Sequence, residues 1–482
     1  MSVAISVESN EISQKQTAVS LPSLLCQQQA AYQQNPLTSY EQRVKQLRQL
    51  KAALLKHQQP LIDALNQDYG QRPAHDTLVA DILPCVMNIN YTLKKLKKWM
   101  KPQRRHAGLL LAPASVSVEY QPLGVIGIMV PWNFPVMLSV GPLITAIAAG
   151  NHAMIKLSEF TPHTNKVLTT LLGEVFTVDQ VAVVEGEADI AAKFSQLAFD
   201  HLIFTGSTAV GKHVMRAAAD NLTPVTLELG GKSPVIIAPD MPIATAVERL
   251  IFGKSLNAGQ ICVAPDYIFC PENKVEEFVT QYKQQFQKMY GKKTLSNDFA
   301  NVINAAQHQR LISWLEDAQQ KGANITSAID APLDKESRHM PTQLVTDVSE
   351  DMLIMQQEIF GPILPIVSYT SLDSCVEYIN DKPRPLALYI MSFDHLTQQH
   401  ILAHTHSGGV CINDSVFHVA ADDAPFGGIG ESGMGHYHGH EGFLTFSKAK
   451  TVLKRGKLNT GKLVHPPYGG WIQRLMLKIF MR

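Results

Sequence analysis

From residue 115 onward, short apolar strands alternate with helices, and this alternation constrains the fold more than any other feature of the sequence. The run from Gly124 to Val130 is almost uniformly apolar, as expected for a parallel strand buried on both faces. A helical segment closed by Gly150, the strand in HAMIKLSE and a helix at 163–176 follow at short spacing. Because this order is typical of a doubly wound parallel sheet, we predict an α/β fold with a Rossmann-like first domain.

The second half of the chain repeats the strand–helix pattern and predicts a second α/β domain. Its apolar strands are SPVIIAP, YIFCP, PILPIVSY and LALYIMS, and its helices lie at 243–256 and 273–290. Ahead of both domains, residues 38–67 and about 76–99 have the periodicity of helices that pack one apolar face.

Charge and cysteine content exclude several classes of protein. The 42 Lys and Arg residues balance the 42 Asp and Glu residues, so no net field attracts nucleic acid or a membrane surface. No run reaches the roughly 18 apolar residues of a spanning helix, and residues 1–20 resemble a polar arm rather than a secretory signal. The six cysteines are scattered without a CxxC pair, which disfavours structural zinc and fits a reducing compartment. We therefore expect a cytoplasmic protein that acts on a small molecule.

The C-terminal segment WIQRLMLKIFMR, residues 471–482, predicts a basic amphipathic helix. Arg474, Lys478 and Arg482 recur every four residues, and bulky apolar residues share the opposite side. The segment is too short to span a bilayer. Two roles fit it: contact with a membrane surface, or packing over a substrate entrance or a partner subunit, which we favour.

Cys262 and Glu228 are the first candidates for chemistry. Cys262 lies in NAGQICVAPDY, between a helical pattern and a strand, where a cysteine is often only a small buried hydrophobe. Glu228 follows an apolar strand beside Gly230 and Gly231, near where a pocket would form. A thiol nucleophile with a carboxylate base can form a thioester and then hydrolyse it. On spacing alone, a buried structural cysteine is more common than a catalytic cysteine.

Asn133 lies in the rigid turn PWNFP, directly after the first buried strand. Its amide either bonds its own backbone, as asparagines in turns do, or serves as a fixed donor to an oxyanion. The sequence does not separate these two readings.

Two further turns suit a phosphorylated ligand. Gly206, Ser207 and Gly211 stand between a strand and a helix, where backbone N–H groups favour a pyrophosphate. Lys156 and Glu159 follow another strand end and suit ribose hydroxyls, although a solvated ion pair is the plainer alternative.

Taken together, these segments resemble the aldehyde dehydrogenase superfamily over about residues 40–455. The motifs that carry the resemblance are PWNFP at 131–135, KLSE at 156–159, FTGSTAVG at 204–211, LELGGKSP at 227–234, NAGQICVAPDY at 257–267, EIFGP at 358–362 and PFGGIGESGMG at 425–435.

The resemblance implies NAD(P)-dependent oxidation of an aldehyde to a carboxylic acid. Cys262 would attack the aldehyde carbon, and the Asn133 amide and the Cys262 backbone N–H would hold the oxyanion of the thiohemiacetal. Hydride transfer to the nicotinamide would leave a thioester, and Glu228 would activate the water that hydrolyses it.

The resemblance also implies which residues hold the cofactor. Lys156 and Glu159 would bind the adenosine ribose, Ser207 in its glycine turn a phosphate, and Glu358 the nicotinamide ribose, with Trp132 and Phe360 packed nearby. A carboxylate on the ribose hydroxyls favours NAD over NADP.

Two other segments resemble the class 3 branch of the superfamily. They are the PDY after the cysteine and MGHYHG at 434–439. Enzymes of this branch often accept NADP as well. The alternating His436, His438 and His440 occur in similar text of metal-free relatives, so we expect no metal.

The resemblance further implies domain boundaries and a homodimer. Residues 1–107 and 123–229 would form the cofactor domain, 230–411 the catalytic domain and 456–482 a tail. Segments 108–122 and 412–455 would form a bridging ribbon that pairs across two subunits.

The long N-terminus and the VHPPYG tail most resemble bacterial coniferyl aldehyde dehydrogenases, which favours a hydrophobic or aromatic aldehyde. A medium-chain aliphatic aldehyde is the nearest alternative. A CoA-acylating dehydrogenase is disfavoured because such enzymes generally lack the base at Glu228. A non-catalytic scaffold is disfavoured by the joint presence of Cys262, Asn133, Glu228 and Glu358.

Overall fold

A computed structural model describes residues 20–481 of the chain. The polar arm predicted for residues 1–20 lies, except for Ser20, outside the described residues. The helices are α1 (Leu21–Gln34), α2 (Tyr40–Lys56), α3 (Gln58–Tyr69), α4 (Ala74–Thr77), α5 (Leu83–Trp99), α6 (Pro135–Ala149), α7 (Pro162–Val175), α8 (Ala188–Ser195), α9 (Thr208–Ala219), α10 (Ile243–Ser255), α11 (Val275–Tyr290), α12 (Ala305–Gln320), α13 (Leu353–Gln356), α14 (Leu372–Asn380), α15 (His395–His404), α16 (Gly439–Thr445) and α17 (Trp471–Phe480).

Within the described residues, the strands form three sheets. They are β1 (Gln103–Arg105), β2 (Ser115–Pro122), β3 (Val125–Met129), β4 (His152–Lys156), β5 (Val181–Val184), β6 (His201–Gly206), β7 (Val225–Leu229), β8 (Pro234–Ile237), β9 (Tyr267–Pro271), β10 (Asn324–Ser327), β11 (Gln343–Thr346), β12 (Ile363–Tyr369), β13 (Ala387–Met391), β14 (Gly409–Ile412), β15 (Gly433–Met434) and β16 (Ser447–Lys454). Their orders are β15-β7-β6-β3-β4-β5, β10-β11-β12-β9-β8-β13-β14 and β1-β2-β16.

The six-stranded sheet confirms the predicted doubly wound α/β fold. Its strands β3 to β7 are parallel, and β3 and β4 are buried along their whole length, as their uniform apolar sequence requires. The chain runs from β3 through β4 to β5 on one side and then returns to β6 and β7 on the other. The strand order therefore reverses between β3 and β6, and ligands of such sheets bind at the carboxyl ends of the strands beside this point.

The seven-stranded sheet is the second α/β unit that the sequence predicts. It is parallel except for the β10–β11 pair, and its central strands β8 and β9 are buried throughout. Helices α10 and α11 cover one face, where α11 buries a row of aromatic side chains: Phe278, Tyr282, Phe286 and Tyr290. This packing fixes the segment between α10 and β9, which carries Cys262.

The third sheet contains the ribbon expected from about 108–122 and 412–455. Strands β2 and β16 pair antiparallel over their full length, from Ser115↔Lys454 to Ser447↔Pro122. Strand β1, from the segment predicted to belong to the cofactor domain, also pairs with β2, whereas β15 joins the six-stranded sheet beside β7. The domain boundaries themselves stay a prediction.

The helical region before the first sheet differs from the sequence prediction at His57 and at Leu78–Ile82, where a π-helical turn interrupts the helix predicted over about 76–99. The predicted helix over 38–67 is two helices, α2 and α3, which meet at His57. Pro60 lies in the first turn of α3, where its missing N–H costs nothing, but the same residue would break a continuous helix. A capping box between Ser39 and Gln42 starts α2.

The predicted C-terminal amphipathic helix is present as α17, although Arg482 lies outside the described residues. Its bulky side chains Trp471, Ile472, Leu475 and Ile479 are all exposed in the single chain. Among residues 20–481, no helix combines the length and the apolar character needed to cross a membrane.

Candidate active site

The loop that carries Cys262 has an unusual backbone. Asn257, Ala258 and Gly259 follow one another with φ values of 50°, 54° and 70°, a left-handed conformation that glycine adopts most readily. A Cβ atom on Gly259 would lie 2.7 Å from the carbonyl oxygen of Gly361, so only glycine fits there. Such strain persists when surrounding contacts hold it in place.

Gln260 supplies those contacts. Its side-chain amide donates to the carbonyl oxygens of Asn257 at 2.8 Å and Asn301 at 3.0 Å, and its Oε1 accepts from Ile303 N at 2.9 Å. The side chain is completely buried. The loop that leads to Cys262 is therefore tied to the segment before α12, and the thiol has a fixed position.

Cys262 lies where two cavities of different character meet. One, the inner cavity, has a volume of about 240 Å³ and is lined by Cys262, Asn133, Glu228 and Glu358 among others. The other, the apolar cavity, has a volume of about 380 Å³ and an almost entirely apolar wall. Its aromatic residues are Phe134, Phe252, Phe417, Phe426 and Tyr437.

Glu228 is the next-to-last residue of β7 and lines the inner cavity together with Cys262. It is only 4% exposed, and neither carboxylate oxygen has a hydrogen-bond partner within residues 20–481. Burial raises its pKa well above that of an ordinary carboxylic acid. Burial also raises the pKa of the Cys262 thiol to about 12, with further contributions from the negative charges of Glu358 and Glu228.

Asn133 is held by its main chain and by one of its amide hydrogens. Its carbonyl oxygen accepts from Tyr69 Oη at 3.1 Å, Arg72 Nη1 at 3.2 Å and Asn257 Nδ2 at 3.2 Å. Its Nδ2 donates to the carbonyl oxygen of Gln260 at 3.2 Å. Since an amide nitrogen carries two hydrogens, one remains for a ligand in the inner cavity.

A third space, the outer cavity, has a volume of about 660 Å³ and continues the inner cavity along the carboxyl ends of the first sheet. The two share Trp132, Gly206 and Ser207 in their walls, and Lys156 and Glu159 lie farther out. Ser207 caps α9 by accepting from Val210 N at 3.4 Å, so the helix N-terminus borders the space.

Lys156 is buried at the floor of the outer cavity. Its Nζ donates to the carbonyl oxygen of Leu157 at 2.7 Å and lies 3.9 Å from Glu159 Oε2. Burial lowers the pKa of this ammonium group, and the carboxylates around it, Glu159 first, oppose the shift. A polar ligand that accepts a hydrogen bond here would complete the coordination of the ammonium group.

One predicted cofactor residue lies elsewhere. Gly211 lines neither the inner nor the outer cavity. It lies on the buried side of α9, where a Cβ atom would come within 2.7 Å of Leu229 Cδ2. Its lack of a side chain lets the helix approach β7, and its contact with the cofactor stays a prediction.

Glu358 and Phe360 lie together in the inner cavity. The Glu358 carboxylate lies against Gly230, where a Cβ atom would be 2.1 Å from Oε2. Burial, followed by the nearby charge of Asp266, raises the pKa of Glu358 to about 8. The ring of Phe360 meets that of Trp132 edge-to-face at 5.2 Å.

Gln307 and Arg310 also line the inner cavity, and neither was predicted from the sequence. Arg310 Nε donates to Gln307 Oε1 at 2.8 Å, and its Nη2 donates to the carbonyl oxygen of Ile359 at 2.8 Å. Asn304 caps α12. This cap signal and the amphipathic pattern after it would have located the helix, but not the cavity that its first two turns reach.

Two of the three alternating histidines, His438 and His440, pack against different aromatic rings. His438 is buried, stacks on Phe426 at 5.3 Å and lines the apolar cavity, whereas His440 packs on Trp99 at 5.7 Å. Across residues 20–481, no three His, Cys, Asp or Glu side chains are grouped so that they could hold a metal ion.

Comparisons with known proteins agree on one family. A model of the aldehyde dehydrogenase family matches residues 12–452. The chain is 53% identical to a probable coniferyl aldehyde dehydrogenase of Pseudomonas aeruginosa over 96% of both chains. Among solved structures, it resembles the substrate-bound state of Staphylococcus aureus AldH, with a TM-score of 0.90, 37% identity and coverage of 95% of this chain and 99% of that one. A Mycobacterium tuberculosis aldehyde dehydrogenase complexed with NAD+ gives a TM-score of 0.81, 27% identity and 90% coverage of each chain.

Proposed function

The chain belongs to the aldehyde dehydrogenase family, and we propose that it oxidises a hydrophobic or aromatic aldehyde to the carboxylic acid through a thioester on Cys262. The observation that carries this proposal is the position of the thiol. Cys262 lies where an apolar cavity, suited to the body of such an aldehyde, meets a polar cavity that leads to a helix N-terminus.

The reaction begins at the Cys262 thiol. Its sulfur attacks the aldehyde carbon, an S–C bond forms, and the carbonyl oxygen becomes an oxyanion. The free amide hydrogen of Asn133 and the Cys262 backbone N–H stabilise this oxyanion, each contribution being worth about 3–4 kcal/mol in comparable sites. The thiol must lose its proton, and the carboxylates of Glu228 and Glu358 have raised pKa values that make them better proton acceptors than an ordinary carboxylate.

Glu228 completes the reaction as a general base. Once the carbon is oxidised, Cys262 holds the acyl group as a thioester. Glu228 takes a proton from water, the resulting hydroxide attacks the acyl carbon, and the C–S bond breaks to release the carboxylic acid. A carboxylate that has no hydrogen-bond partner among the described residues, in the same cavity as the thiol, supports hydrolysis by water rather than transfer of the acyl group to CoA.

The residues present fit a dinucleotide. Lys156 and Glu159 provide a cation and a carboxylate for a ribose, and Ser207 stands at a helix N-terminus that suits phosphate. Gly230 has no side chain and leaves room for the Glu358 carboxylate, which lines the inner cavity together with Cys262. The chemistry that a bound nicotinamide supplies is hydride acceptance. The NAD+ complex of the Mycobacterium tuberculosis relative supports this assignment.

Glu159 is proposed to favour NAD over NADP. Its carboxylate borders the outer cavity and would repel a 2′-phosphate on the adenosine ribose. The variant Glu159→Gln removes this charge and keeps the side-chain size. We expect its ratio of kcat/KM for NADP to that for NAD to rise by about tenfold. If steady-state assays with both cofactors give an unchanged ratio, a residue other than Glu159 discriminates between NAD and NADP.

The apolar cavity supports an aromatic substrate in particular. The rings of Phe252 and Phe417 in its wall are nearly parallel, with an interplanar angle of 8° and 5.8 Å between centroids. Flat faces of this kind favour an aromatic ring or an extended conjugated chain. The name of the Pseudomonas aeruginosa relative supports coniferyl aldehyde, and the same wall leaves a medium-chain aliphatic aldehyde as the alternative substrate.

A panel of aldehydes tests the proposal. Acetaldehyde, octanal, benzaldehyde and coniferyl aldehyde are each assayed for NADH and NADPH formation, with and without CoA. We expect CoA-independent turnover with the highest kcat/KM for the aromatic members. A dependence on CoA would contradict hydrolysis by Glu228, and a maximum at octanal would select the aliphatic alternative. Absence of turnover with every aldehyde, despite cofactor binding, would contradict the proposed activity.

We also propose that the third sheet joins two subunits into a homodimer. Strand β16 pairs with β2 along one edge, and along its other edge it pairs with no strand within residues 20–481. An open edge eight residues long is a ready template for another strand. Light scattering of the purified protein measures the mass, and a monomer at micromolar concentration would contradict this arrangement.

A further inference from the structure

Arg72 and Asp81 form an ion pair behind the turn that carries Asn133. Arg72 Nη2 lies 2.8 Å from Asp81 Oδ2, and both side chains are 0% exposed. Neither residue lines the inner, outer or apolar cavity. We propose that this pair positions the oxyanion donor, by holding the main-chain carbonyl of Asn133 and the start of the helix that follows it. The inference rests on the proposed function.

The ion pair forms hydrogen bonds to the main chain at two points. Arg72 Nη1 donates to the carbonyl oxygen of Asn133 itself, at 3.2 Å. Asp81 Oδ1 accepts from the backbone N–H groups of Val136 at 3.0 Å and Met137 at 3.1 Å, which begin α6. The first N–H groups of a helix have no partner in the helix, and they favour a carboxylate. The same ion pair therefore holds both Asn133 and α6.

The surroundings of Arg72 leave its guanidinium little freedom. It lies 4.9 Å from the ring centroid of Tyr69 and 5.3 Å from that of Phe134, which is the residue after Asn133. Asp81 belongs to a π-helical turn, Leu78–Ile82, between α4 and α5, a distortion that is frequent at functional sites. Aromatic rings, the Asp81 charge and hydrogen bonds therefore fix the position of Arg72, and Arg72 in turn fixes the position of the Asn133 backbone.

A stabilising role alone does not explain the pair well. The free energy needed to remove two charges from water is about as large as the free energy gained from their attraction. A pair of apolar residues of similar volume therefore often stabilises a protein equally well. Burial raises the pKa of the Asp81 carboxyl, although the charge of Arg72 and the helix N–H groups oppose this. What an apolar pair cannot supply is a donor to the Asn133 carbonyl together with an acceptor for α6.

A double-mutant cycle separates positioning from stability. The variant Arg72→Met/Asp81→Asn removes both charges, approximates both volumes and keeps an amide oxygen that can accept from α6. It is made in the wild-type chain and in an Asn133→Ala background. The readout is the rate constant of the first burst of NADH in stopped flow with benzaldehyde, with NAD+ affinity and circular dichroism as checks of the fold.

If the pair acts through Asn133, the burst slows by about tenfold in the wild-type chain and by less than about twofold in the Asn133→Ala background, because coupled residues are not additive. An equal reduction in both backgrounds would overturn the inference and leave only a structural role. If Asn133→Ala alone leaves the burst unchanged, the proposed oxyanion donor is wrong, which is a separate failure. Should the double variant not fold, Asp81→Asn and Arg72→Lys take its place in the same cycle.

Discussion

Replacing Cys262 by serine is expected to abolish aldehyde oxidation while leaving cofactor binding unchanged. A serine hydroxyl is a far weaker nucleophile than a thiol at neutral pH, and the hemiacetal it forms does not lead to a thioester. Loss of a covalent nucleophile lowers kcat by at least about 10⁴-fold in comparable enzymes. The groups proposed to hold the cofactor, at Lys156, Glu159 and Ser207, are unaffected by the change.

Cys411 provides the matched control. It is likewise a partly exposed free thiol, but it lies on β14 and lines none of the three cavities. The Cys411→Ser variant is expected to keep wild-type kcat. Both variants are assayed for NADH formation and for NAD+ affinity by calorimetry. Full activity in the Cys262 variant, or a similar loss in the Cys411 variant, would remove Cys262 from the role of nucleophile.

The fold could be predicted because its strands are buried on both faces. Uniform apolar runs such as β3 and β4 have few other stable arrangements, so the sequence and the motif order together led to the correct fold class. The break between α2 and α3 was missed because the apolar periodicity continues through Pro60. Periodicity reports which face is buried, and it does not report where a helix is interrupted.

The site was predicted less completely, because its geometry depends on contacts between distant elements. Cys262 and Glu228 belong to segments of two different sheets, and only the packing of those sheets brings both to one cavity. The role of Gly211 stays a prediction, because a glycine turn is ambiguous between close ligand approach and close helix packing. Arg72 and Asp81 gave no signal at all, since their relation to Asn133 exists only after α4, α5 and α6 have packed.

Replacing Glu228 by glutamine is expected to separate the two halves of the reaction. Glutamine keeps the size of the side chain but cannot accept a proton from water. The first turnover should still release one equivalent of NADH per subunit, whereas the steady-state rate should fall by about 10²–10⁴-fold, the usual contribution of a general base. The acyl group should then accumulate on Cys262, where intact-protein mass spectrometry detects it. Hydroxylamine, which attacks thioesters without a base, should restore turnover.

The pH dependence gives an independent measure of the same role. Glu228 acts as a base only when deprotonated, and burial has raised its pKa, so the wild-type steady-state rate should rise with pH through a range above that of an ordinary carboxylic acid. The Glu228→Gln variant should lose this rise, and the exposed control Glu276→Gln should keep it. If burst and steady state slow equally in Glu228→Gln, the carboxylate acts before the thioester, as the acceptor of the Cys262 proton. Hydrolysis would then need another base, for which Glu358, with its pKa of about 8 in the same cavity, is the remaining carboxylate.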